Sequence, residues 1–192
     1  MKNLHRASAL VLSVFVAAHI GNHVAGAFGL ETYFRYLTAV RQVYRHPIGE
    51  PILIGLIIIQ MITGLAITVS AFQRRERRKL VSWIEVVAAW LFFLFITIHL
   101  ASIAVTRFYF EMETDFLWVA TMMRPSPLQP FVIAFHFLGI VVVTTHMGIG
   151  FRFLLTAIGF RRIGNVVAAL IAGAGFIAAT IAIVAYTGQE IS

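Results

Sequence analysis

Five stretches of this chain are long and apolar enough to cross a lipid bilayer, at about residues 7–28, 48–72, 83–106, 129–156 and 163–186. A spanning helix needs about 20 mostly apolar residues. Lipid offers no partner for backbone N–H and C=O groups, so each stretch must close its own hydrogen bonds as a helix. The fold class is therefore an all-α integral membrane protein with five transmembrane helices, and residues 1–192 read as one transmembrane domain. Composition agrees. A soluble domain carries roughly 25% charged residues, whereas this chain has 12% charged and 60% hydrophobic. It has no cysteine, which excludes disulfides, protein-ligated iron–sulfur clusters and thioether-attached haem.

Lys and Arg set orientation. With a cytoplasmic N-terminus, ten of the fifteen basic residues fall inside, among them Arg74, Arg75, Arg77, Arg78 and Lys79 between spans two and three. Five fall outside: Arg35, Arg41, Arg45, Arg107 and Arg124. The expectation is a multi-pass protein of the bacterial inner (cytoplasmic) membrane, N-terminus inside and C-terminus outside. The net charge of +7 follows largely from this bias and reads as a basic surface facing anionic lipid headgroups, with no nucleic acid as partner. The first span has a basic start and an Ala25-Gly26-Ala27 triplet. Its long apolar run, interrupted by His19 and His23, reads as a retained helix rather than a cleaved leader.

The chain also repeats itself. Span one contains Phe15-Val16-Ala17-Ala18-His19-Ile20 and span three contains Phe95-Ile96-Thr97-Ile98-His99-Leu100. Span two contains Gln60-Met61-Ile62-Thr63-Gly64 and span four contains His146-Met147-Gly148-Ile149-Gly150. A two-span unit used twice, plus a fifth span with no matching feature, accounts for both pairs. At about 1.5 Å rise per residue, His19 and His99 fall at matching depths in the outer half, and Gln60 and His146 lie further in.

Ionisable groups inside a membrane are costly and usually functional. Two neutral imidazoles facing each other from different helices are what a six-coordinate haem b requires. His19 and His99 are the axial pair on this reading. His146 lacks a histidine partner, because Gln60 stands where the repeat asks for one. Met61 could offer a thioether, but it points about 100° away from Gln60. One haem is thus expected rather than two, with Gln60 and His146 marking the inner position. Gly26, Gly64, Gly139 and Gly150 stand near the candidates and would either clear space for a macrocycle or serve ordinary helix packing. His23 ranks behind His19 as a ligand. His136 reads as a packing or hydrogen-bonding residue, His46 as a group at the outer mouth, and His5 as a solvated terminal residue.

At that mouth, Arg45, His46 and Glu50 supply the donors and proton acceptor that a quinone head group needs, with Arg107 and Asp115 joining from the third loop. Pro47 and Glu50 also suit a capped helix start. Residues 107–118 are expected to lie as a short interfacial helix. Pro125, Ser126, Pro127 and Pro130 then break the chain before span four.

With its histidines placed, the sequence resembles the membrane-anchor cytochrome b of succinate dehydrogenases and fumarate reductases, in its single-chain, five-span form. His19 and His99 match that family's outer ligand pair. The run from His99 to Thr106-Arg107 looks like its span-three motif, and His146 with Gly150 looks like its span-four ligand and following glycine. The resemblance implies a haem bundle built from the first four spans, and a haem b electron-transfer protein or respiratory anchor subunit linked to quinone. It also implies flavoprotein and iron–sulfur partners. The Gln60–Met61 region departs from the family, which has a ligand histidine there. Two other readings stand beside this one. One is a haem-free membrane scaffold. The other is a transition-metal site or transporter built from His19, His23 and His99 with His46 or His136.

Overall fold

The structure is a computed structural model that describes residues 1–73 and 80–188. Among the described residues seven α-helices follow one another: α1 (Lys2–Ala25), α2 (Leu30–Tyr44), α3 (Gly49–Gln73), α4 (Leu80–Ala104), α5 (Phe116–Met122), α6 (Gln129–Ala157) and α7 (Arg161–Gly188). No strand occurs among the described residues. A 3-10 turn at Gly26–Phe28 extends α1, and a π turn at Val105–Tyr109 extends α4. Five helical segments among the described residues are long and apolar enough to cross a membrane: Lys2–Phe28, Gly49–Ser70, Trp83–Tyr109, Gln129–Ala157 and Arg161–Gly188. They match the five expected spans and are compatible with a multi-pass membrane protein. The basic cluster Arg74, Arg75, Arg77, Arg78 and Lys79, on which the orientation argument leans, lies outside the described residues.

The spans expose large side chains such as Val14, Ile62, Leu94 and Leu170. An apolar surface this extensive suits lipid and would be anomalous in water. α1 packs on α3, α6 and α7, and α4 packs on α6. The fifth span, which has no counterpart in the repeat, packs with the others: α7 lies along α6 and also touches α1. Small residues explain the closeness. A Cβ built at Gly148 would lie 2.9 Å from the Ala168 carbonyl oxygen, and one at Gly175 would lie 1.9 Å from Thr144 Oγ1. Such small-residue contacts let membrane helices approach backbone to backbone. The hairpin between α6 and α7 closes at Gly159, whose φ of +92° is a left-handed value that glycine adopts freely. Phe160 N–H then bonds back to Leu155 C=O at 2.8 Å, the usual way a helix ends on such a glycine.

The end of the bundle where α1 and α4 finish, here called the cap end, carries the main buried core. α2 is amphipathic, and it turns Tyr33 and Leu37 onto Phe116, Val119, Ala120 and Met123 around α5 and onto Ala182, Ala185 and Tyr186 of α7. Phe116 is 0% exposed. Residues 107–118 do not form the expected interfacial helix. The π turn ends at Tyr109, residues 111–114 are irregular, and α5 begins at Phe116. Asp115 is the reason for that start: its carboxylate accepts the Trp118 N–H at 3.1 Å and caps the new helix.

Candidate functional site

Histidines from two spans gather just below the cap, beside Tyr186 of a third. His19 of α1 and His99 of α4 face each other with ring centres 6.1 Å apart and planes at 66°. Each imidazole is stacked on the phenylalanine one turn earlier: Phe15 on His19 at 5.5 Å and 15°, Phe95 on His99 at 5.4 Å and 19°. The Phe-x-x-x-His repeat is thus one structural unit used twice, since residues four apart share a helix face. His23 reaches the same cluster. Its Nε2 lies 3.4 Å from His19 Nε2, and its Nδ1 bonds the Tyr186 hydroxyl of α7. His136 of α6 donates Nδ1–H to Val132 C=O one turn earlier on its own helix, at 2.8 Å. Tyr186 is a member that sequence reasoning missed. Its only signal was a polar hydroxyl near the end of an otherwise apolar span.

The inner position is arranged differently. Gln60 is buried, and its Oε1 accepts from Ser8 Oγ at 2.6 Å while its amide donates to His5 Nε2 at 3.2 Å. His5 Nδ1 in turn faces Thr63 Oγ1 at 3.0 Å. His5 is therefore not a solvated terminal residue. α1 begins at Lys2, so His5 already sits on the first turn, against α3. His146 stacks on Phe92 with ring centres 4.9 Å apart, and its Nδ1 is buried without a hydrogen-bond partner. Both ends of the Gln60 amide are directed at α1.

The glycines near these residues hold side chains. A Cβ at Gly139 would fall 2.0 Å from Phe95, one at Gly26 would fall 2.6 Å from Phe116, and one at Gly64 would fall 3.2 Å from His5. Gly150 alone of the four has nothing within 4 Å. Packing is what Gly139, Gly26 and Gly64 provide.

The five residues assigned to a quinone head group divide among separate partners. Glu50 and Arg107 meet at 2.5 Å as a half-buried ion pair. Arg45 instead bonds Glu113 at 3.1 Å and Thr114 Oγ1 at 3.1 Å, beside Arg41, which bonds Glu113 at 3.0 Å. His46 Nδ1 accepts the Ile48 N–H at 3.3 Å and caps the turn before α3. Asp115 caps α5. Slight burial works to raise the Glu113 carboxyl, but Arg45 and Arg41 together outweigh it and hold it below its usual value. Burial pushes the Tyr33 hydroxyl up to about 12, with Asp115 adding to the shift and the Asn22 hydrogen bond and Arg41 opposing it.

Among the described residues, no group of three or more His, Cys, Asp or Glu is arranged to hold a metal ion. No protein family, curated protein or solved structure matches the chain.

Proposed function

We propose that this protein is a haem b-binding membrane electron-transfer protein, with His19 and His99 as the axial ligands. The observation that carries the reading is their 6.1 Å ring separation. Two imidazoles that shared one metal through bonds of about 2 Å would hold their ring centres at about this separation. The residues thus fit an axial pair. A haem held by these two residues would supply one-electron transfer. Phe15 and Phe95 fix the two ring planes by stacking. Gln60, occupied by Ser8 and His5, does not offer a second ligand opposite His146, which supports one haem rather than two. Quinone is the proposed exchange partner, with the Glu50–Arg107 pair as its polar contact at the cap end. The resemblance to the succinate dehydrogenase and fumarate reductase anchors supports an anchor role beside flavoprotein and iron–sulfur subunits in a bacterial inner membrane.

Protein purified in detergent after growth with ample haem tests this directly. A reduced low-spin b-type spectrum with a haem-to-protein ratio near one is expected. His19→Ala and His99→Ala should each abolish it. A colourless preparation would sink the reading, and a ratio near two would overturn the assignment of Gln60.

A further inference from the structure

His19 and His23 stand one turn apart on α1, and their Nε2 atoms are 3.4 Å from each other. A hydrogen bond from a ring nitrogen centres on about 2.9–3.0 Å, so this contact is long for one. It is the right length for something else. Two imidazole nitrogens on one tetrahedral divalent ion, with bonds of about 2.0–2.1 Å, sit about 3.3–3.4 Å apart. The rings stand nearly perpendicular, at 81° with centres 4.7 Å apart, so the two nitrogens meet without the rings stacking. A His pair at i and i+4 on one helix face is also the arrangement by which helices chelate zinc.

Two further features favour a cation at this point. Metal-bound histidine almost always has its second nitrogen held by an outer partner, which fixes the tautomer and aims the other lone pair. Tyr186 does this for His23, through Nδ1. His23 also lies in the last turn of α1, where the helix dipole favours positive charge.

We propose that the haem-free protein binds one divalent first-row transition-metal ion through Nε2 of His19 and His23, with solvent completing a tetrahedral shell. This does not rest on the haem reading. His19 is common to both, so the ion and a haem exclude one another.

Cobalt(II) is the probe, titrated into haem-free protein in detergent, because tetrahedral cobalt absorbs strongly in the visible. One equivalent should bind with that spectrum, and zinc(II) should displace it. His19→Gln and His23→Gln should each remove the band while circular dichroism shows unchanged helix content. Tyr186→Phe should weaken binding about tenfold, as expected for loss of an outer-shell partner. Should either glutamine variant fail to fold, the wild-type protein still decides through its tetrahedral band, and wherever it takes up haem, that haem must release one equivalent of cobalt. Cobalt binding that persists in the His19→Gln/His23→Gln double variant would overturn the proposal. So would the absence of a tetrahedral band in the wild type, or haem and cobalt bound together. Cobalt binding in a protein that takes up no haem would refute the haem reading and leave this one standing.

Discussion

Gln60 shows what a single side chain decides. The repeat placed it opposite His146, where a ligand was missing. The structure gives its amide to Ser8 and His5 instead. Gln60→Ala would leave both partners without it, and a buried polar group stripped of its bond costs about 1–3 kcal/mol. A drop of that size in detergent unfolding is expected, with no change at the His19–His99 pair. His5 was illegible for a simple reason. Nearness to a chain end suggests solvent, and only the docking of the first turn of α1 on α3 reverses that. Tyr33 makes a pH prediction at the same scale. Its folded value, about 12, is raised from 10.0. Between those values the folded protein keeps a proton that the unfolded chain has released, so stability falls as pH rises through that window. Glu113 has the opposite sign. Its value is held below 4.5, so the tie it gives α2 is present above pH 4.5 and is lost as acid protonates it. Its side chain is 65% exposed, which keeps that contribution small. Melting temperature measured across both windows checks the two signs.

At the scale of elements, the glycines separate helix contacts from lipid-facing surface. Gly148→Ala would press a methyl group against the backbone of Ala168, and Gly139→Ala would drive one into the Phe95 ring. Overpacking of this kind costs about 1–3 kcal/mol. Gly150→Ala meets nothing within 4 Å and should be neutral or stabilising, because alanine is the better helix former. Gly139→Ala should also disturb the His99 environment, since Phe95 stacks on that ring, whereas Gly148→Ala should not. Unfolding in detergent, followed together with the spectrum of whatever haem the proposed pair takes up, distinguishes the three. The spans themselves were legible from hydropathy. The cap was not. α2 lies in a segment that reads as a charged connector, α5 starts only at the end of the expected interfacial helix, and their apolar faces have meaning only against each other and the end of α7.

Across the whole molecule, five spans that all cross the bilayer would put the start of α1 and the end of α7 on opposite sides of the membrane. The absence of cysteine makes this easy to check. Arg35→Cys at the cap end and Arg161→Cys at the start of α7 should react with an impermeant maleimide from opposite faces. The positive-inside argument predicts that position 35 is reached from outside. Labelling of position 161 from outside instead would invert the orientation.

Sequence alone determined the class, the five spans and the paired Phe-x-x-x-His units. It could do so because apolar length and local spacing are properties of one helix at a time. Tertiary structure alone decided that α7 joins the bundle, that Tyr186 holds His23, that Gln60 turns to α1 and that Arg45 serves Glu113. A helix in lipid is apolar on nearly every face, so its sequence carries little record of which face meets a neighbour. That choice is made by close packing of small residues and by buried polar groups finding partners, and both exist only once the helices have docked.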